Sequence, residues 1–226
     1  MQAIDLKGKR ILLTHADAFM GPALHAMFER CGAEVIAAEG ALAAPGEAQA
    51  LVEQAGCIDA LVANLGVPAP STPAVDVGDE EWKLMFTHMV DPLQQLVKAA
   101  LPGMIERQSG KILLMGSASA LRGIKRASSY SAARGAQLAY VRAVALEAAP
   151  HNVQINAIAQ NFVDNPTYFP ESIQANPAFQ ARLKREVPLG RLVSAEEDAS
   201  FAAYLCSDAA NCFVGQVFPV CGGWVA

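Results

Sequence analysis

The strongest constraint in this sequence is an alternation. Strand-length runs of almost uninterrupted apolar residues are separated by longer segments with helical periodicity. Six such runs are visible, Arg10–Thr14, Ala33–Ala38, Asp59–Asn64, Lys111–Met115, Asn152–Ala159 and Gly215–Val220. Between them lie helical segments at Gly21–Cys31, Gly46–Ala55, Glu80–Glu106, Ser129–Ala149 and Ala195–Ser207, the last with Ser194 as N-cap. A strand with one wet face alternates apolar and polar residues, whereas these runs do not. Both faces are therefore covered, which requires a parallel sheet with helices on each side. The fold expected is a single α/β domain over residues 1–226, doubly wound and of Rossmann type. Proline leaves the Glu80–Glu106 helix kinked near Pro92 or ended at Pro102. Ligands of such sheets sit beyond the carboxyl ends of the strands, here after Thr14, Ala63, Met115 and Ala159.

Composition narrows the function classes. An apolar fraction of 53% against 17% charged residues excludes a disordered chain. Seventeen Lys+Arg against 22 Asp+Glu give a net charge of −5, which argues against a nucleic-acid partner. No apolar stretch approaches the roughly 20 residues of a membrane span. Met1–Arg10 has no apolar signal core, so a cytoplasmic location is expected. Five cysteines, Cys31, Cys57, Cys206, Cys212 and Cys221, read as reduced thiols packed in the core. Four scattered histidines without ligand spacing predict no metal site.

Three residues carry a chemical pattern. Ser117 follows the strand Lys111–Met115, and Tyr130 and Arg134 stand four residues apart at the start of the long Ala-rich helix. That spacing places phenol and guanidinium on one helix face. A neighbouring cation favours the phenolate and fits the phenol for general-base work. A serine hydroxyl nearby can hold the same substrate oxygen. Arg142, two turns further on, reads as a solvated cation.

This spacing, from Ser117 through twelve residues to Tyr130 and then a cation, resembles the short-chain dehydrogenase/reductase superfamily. Asn64-Leu65-Gly66 is similar to its Asn-Ala-Gly loop, and Cys221-Gly222-Gly223 to its C-terminal Gly-Gly. The departures are as informative. Where the superfamily has a glycine-rich cofactor loop, this chain reads Thr14-His15-Ala16-Asp17-Ala18-Phe19-Met20-Gly21, with one glycine kept. The stretch before Asp59 is a strand–helix unit short, Gln160-Asn161 replaces the usual Pro-Gly, and Arg134 stands where the dehydrogenases have lysine. Each change weakens nicotinamide binding and spares the serine and tyrosine.

The combination resembles the halohydrin dehalogenases, a cofactor-free branch with a Ser-Tyr-Arg triad. That resemblance implies Ser117, Tyr130 and Arg134 as catalytic residues and no cofactor. It implies a halide and substrate pocket built from Phe19, Gln160, Asn161, Phe162, Val163, Tyr168 and Phe169, with the Phe162 and Val163 amides as halide donors. The reaction implied turns vicinal haloalcohols into epoxide, halide and proton, and in reverse opens epoxides with small anions. The superfamily's habit implies a homotetramer. Phe19 is equally readable as a core residue, and the aromatics of residues 160–169 as lid packing. Three rival functions stay open, an NAD(P)-dependent oxidoreductase with a degenerate loop, a non-catalytic binding scaffold, and another cofactor-free lyase or isomerase using the same base.

Overall fold

Strands β4 (Gly110–Ser117) and β5 (Val153–Gln160) are the longest of the sheet in the computed structural model, which describes residues 4–225. Around them stand β1 (Arg10–Leu13), β2 (Glu34–Ala37), β3 (Ala60–Asn64) and β6 (Val217–Val220). The sheet order is β2-β1-β3-β4-β5-β6, and every pairing is parallel. The expected doubly wound α/β architecture is what the chain adopts.

Successive side chains of a strand point to opposite faces, and β4 shows what each face meets. Ile112 and Leu114 join Val52 of α2 (Glu47–Ala55), Leu93 and Leu96 of α3 (Asp79–Glu106) and Leu138 and Val141 of α5 (Ser128–Ala148). Leu113 and Met115 join Leu24 and Phe28 of α1 (Gly21–Arg30) and Ala199 and Ala202 of α8 (Ala195–Cys206). Three short helices complete the set: α4 (Ser119–Arg122), α6 (Glu171–Gln174) and α7 (Pro177–Glu186). Only α2 lies between β2 and β3, so the unit expected to be absent there is absent.

Several expectations need correction. Helix α3 runs unbroken past Pro102 to Glu106, because burial of Leu93, Leu96, Val97, Ala100 and Met104 outweighs the backbone bonds its prolines forgo. Cys206 and Cys221 are buried, but Cys57 and Cys212 are exposed and Cys31 is half-buried, so the cysteines are not uniformly core. Residues 160–194, given no helix from the sequence, carry α6 and α7. Ser194 does cap α8, accepting from the Glu197 amide at 3.1 Å while Glu197 accepts from the Ser194 amide at 2.8 Å.

Candidate active site

The carboxyl ends of β3, β4 and β5 open into one cavity of about 240 Å³. All ten residues expected at the site from sequence line it: Phe19, Ser117, Tyr130, Arg134, Gln160, Asn161, Phe162, Val163, Tyr168 and Phe169. Two arginines and no carboxylate are found among the described lining residues, in a chain of net charge −5.

Arg134 dominates the electrostatics. It is 5% exposed, and its Nη1 donates to the Leu65 carbonyl (2.8 Å), the Met115 carbonyl (3.3 Å) and Gln137 Oε1 (3.0 Å). Gln137 is itself fixed by donating to the Met89 carbonyl at 2.7 Å. No carboxylate pairs with Arg134 among the described residues, and the acceptors of its Nη1 are neutral carbonyl oxygens. Its guanidinium carbon lies 5.1 Å from the centre of the Tyr130 ring. Burial pushes the Tyr130 phenol up, but the Arg134 charge, aided by hydrogen bonds from Tyr168, Arg134 and Ser117, brings it below its ordinary value.

Ser117 donates from Oγ to Ser119 Oγ at 2.9 Å and accepts from the Ser119 amide at 3.2 Å. Those contacts aim its hydroxyl from the end of β4. The Tyr168 hydroxyl stands 3.4 Å from that of Tyr130 and donates to the Val67 carbonyl at 3.0 Å. Burial, then the neighbouring Tyr130, raises the Tyr168 phenol, so it remains a neutral donor. Tyr168 was expected to contact halide or substrate; the structure adds this contact with Tyr130.

In the loop after β1, Phe19 is half-buried and its ring lines the cavity, 5.8 Å from the Tyr168 ring and 5.7 Å from His15. Phe19 and His15 both take positive φ, 53° and 46°, where a glycine would be relaxed. Asn64 anchors this turn, donating from Nδ2 to the carbonyls of His15 (2.9 Å) and Ala18 (3.0 Å). Gly21 survives for a steric reason: a Cβ there would stand 2.2 Å from the His15 carbonyl oxygen. Gly66 is similarly confined, 2.9 Å from Arg134 Nη2 and 3.4 Å from the Phe19 ring at its notional Cβ.

Beyond β5, Asn161 accepts from the Phe162 amide through Oδ1 at 3.0 Å. That amide, expected as a halide donor, is therefore engaged by the neighbouring side chain. The Val163 amide makes no hydrogen bond among the described residues, while Val193 bonds to Phe162 and Asp164 on either side of it. Phe162 stacks on Phe169 at 6.0 Å, and Phe169 packs on Phe179 of α7 at 5.4 Å. Arg182 of α7, unnoticed in the sequence, lies over the Phe162 ring at 5.4 Å and reaches the cavity. Its only sequence signal was a cation within an unassigned polar helix.

Comparison with known proteins places the chain in a family. Residues 2–225 match the family model described as Enoyl-(Acyl carrier protein) reductase. The chain is a short-chain dehydrogenase/reductase. Among its relatives, 2-keto-3-deoxy-L-fuconate dehydrogenase of Xanthomonas campestris pv. campestris is 32% identical over 243 residues, 97% of this chain and 81% of that one. A solved structure described as a dehalogenation enzyme is 32% identical with a TM-score of 0.91, covering 97% of this chain and 99% of its own. A halohydrin dehalogenase bound to ethyl (2S)-oxiran-2-ylacetate superposes with a TM-score of 0.85 at 24% identity, over 96% and 97% of the two chains, and so shares the fold.

Membership of this short-chain family raises the question of a nicotinamide dinucleotide. Pyrophosphate binding needs free amides at the first turn. Here the Ala16, Ala18 and Gly21 amides bond to the Ala38, His15 and Ala18 carbonyls, and the Phe19 amide donates to Thr167 Oγ1 at 3.3 Å. The Asp17 carboxylate lies in the same loop and accepts from the Gly40 amide at 3.0 Å. The Phe19 ring lines the cavity beside this turn. These residues do not fit a dinucleotide. Among the described residues no cluster of three or more metal-ligating side chains occurs, and no helix is long and apolar enough to cross a membrane.

Proposed function

We propose that the protein is a cofactor-independent dehalogenase of vicinal haloalcohols, forming epoxide, halide and a proton. The observation that carries this reading is the buried Arg134, which no carboxylate neutralises, set against a buried phenol. Such a cation favours the Tyr130 phenolate and, with the cavity empty of acidic groups, a departing anion. The 32% identity to a structure described as a dehalogenation enzyme supports the same reading.

In this mechanism Tyr130 takes the proton of the substrate hydroxyl, and Ser117, its hydroxyl turned from Ser119, donates a hydrogen bond to the same oxygen. The alkoxide attacks the adjacent carbon from the side opposite the halogen. The new C–O bond closes the epoxide as the carbon–halogen pair leaves with the halide. No electrons are transferred to a carrier, and the proton passes from Tyr130 to solvent. The open Val163 amide, with the rings of Phe19, Phe162 and Phe169, is the cradle we assign to the halide. Gln160, Asn161 and Tyr168 line the same pocket. A cytoplasmic homotetramer is the assembly proposed.

The reverse direction supplies the test. Incubated with a short terminal epoxide and azide, without nicotinamide, the protein should yield the azido-alcohol. The oxidoreductase reading instead requires binding of NADH or NADPH; a tight complex together with no azido-alcohol would replace the dehalogenase reading.

A further inference from the structure

Asp198 of α8 has no exposed surface, and its single polar partner among the described residues is Gln160. Gln160 Nε2 donates to Asp198 Oδ2 at 2.6 Å, and Asp198 Oδ1 is buried without a partner. A buried carboxyl with no cation is uncommon and calls for a physical reason. Gln160 itself ends β5 and lines the cavity, so one carboxyl stands directly behind a cavity-lining amide.

The charges around Asp198 are otherwise spoken for. On α8, Glu196 pairs with Arg30 and Glu197 with Arg191; on α1, His25 pairs with Glu29. Lys111 of β4 bonds to Asn211, and Asp208, in the turn after α8, pairs with Lys9. β5 carries no charged residue. Burial therefore governs this carboxyl, pushing it up to about 7, with the Gln160 bond opposing.

A glutamine amide has two ends. Facing an ionised carboxylate it must turn NH2 inward, as here, which leaves its oxygen toward the cavity. Facing a protonated carboxyl, the acid can donate to Gln160 Oε1, and a half-turn of the amide presents both N–H donors to the cavity. The two arrangements differ in what they offer an anion, one a dipole's negative end and the other its donors.

We propose that Asp198 is a positioning residue for the anion: its proton decides whether Gln160 offers NH2 or a carbonyl oxygen to the cavity. The inference rests on the reading that a halide occupies this cavity. It implies that halide binding takes up a proton at Asp198. The halide-binding state is then the protonated one, favoured below neutral pH.

Chloride binding, followed by the chloride NMR line width between about pH 5.5 and 8.5, tests this without turnover. Asp198→Asn keeps a donor for Gln160 Oε1 and cannot titrate. Wild-type affinity should fall about tenfold across the range, and Asp198→Asn should keep the acid-side affinity with a much shallower slope. Gln160→Met should bind weakly with the same shallow slope. Any slope from Tyr130 is common to all three proteins. Chloride bound with the wild-type slope retained in Asp198→Asn, or with no slope in the wild type, would overturn the positioning role and leave the dehalogenase reading standing. No chloride bound at any pH, together with no halide released from a bromo-alcohol, would overturn both.

Discussion

The guanidinium of Arg134 lies 5.1 Å from the centre of the Tyr130 ring, and neither side chain has a carboxylate partner among the described residues. The pair is buried, so solvent screens it little. Removing the cation leaves burial, which raises the phenol, opposed only by the hydrogen bonds from Tyr168 and Ser117. Arg134→Gln should therefore move the acid limb of the kcat/KM profile to higher pH and lower the rate near neutrality by about 100-fold or more. A profile with an unmoved limb would separate Tyr130 from Arg134.

Tyr168 offers a smaller adjustment to the same phenol. Its hydroxyl, 3.4 Å from Tyr130, can turn its one proton from the Val67 carbonyl to the phenolate. Tyr168→Phe should shift the acid limb to higher pH. Halide affinity measured alongside distinguishes this from loss of a pocket contact.

Glycines 21 and 66 separate folding from function. Gly21→Ala sets a Cβ 2.2 Å from the His15 carbonyl oxygen and 2.6 Å from the Ala16 carbonyl carbon, both backbone. It should cost about 3 kcal/mol or more of stability, read by denaturant unfolding. Gly66→Ala meets the movable ends of Arg134 and Phe19 instead. It should cost less stability and more activity.

Asp198 predicts an unusual stability profile. Its buried carboxyl is raised from 3.8 to about 7. Below the unfolded value both states hold the proton and there is no penalty. Between 3.8 and 7 the unfolded chain ionises while the folded one does not, so stability falls as pH rises, levelling above 7. Asp198→Asn escapes this loss. It should match the wild type near pH 4 and exceed it at pH 8, by on the order of 4 kcal/mol.

Much of the molecule was legible in its sequence, for identifiable reasons. Ile112-Leu113-Leu114-Met115 reads as one apolar run because alternate residues meet α3 and α5 on one side and α1 and α8 on the other. Ser117, Tyr130 and Arg134 were legible because strand end and helix start fix their spacing, and the cavity brings them together. Asp198 was not legible. It follows Glu196 and Glu197 in the first turn of a helix, a pattern that reads as a solvated acidic N-terminus, and only packing buries it. Arg182 was hidden similarly, since nothing local in α7 shows that its side chain crosses to Phe162. The engagement of the Phe162 amide was not legible either, because its partner, Asn161 Oδ1, is a side chain one residue away.

The most direct test is halide release from a short vicinal bromo-alcohol, with no nicotinamide present, by the wild type and by Tyr130→Phe. The account predicts bromide and epoxide in equal amounts from the wild type, and release reduced to the uncatalysed level in the variant. Wild-type release that survives Tyr130→Phe would contradict the assigned base, and no release from a folded wild type would contradict the dehalogenase reading itself.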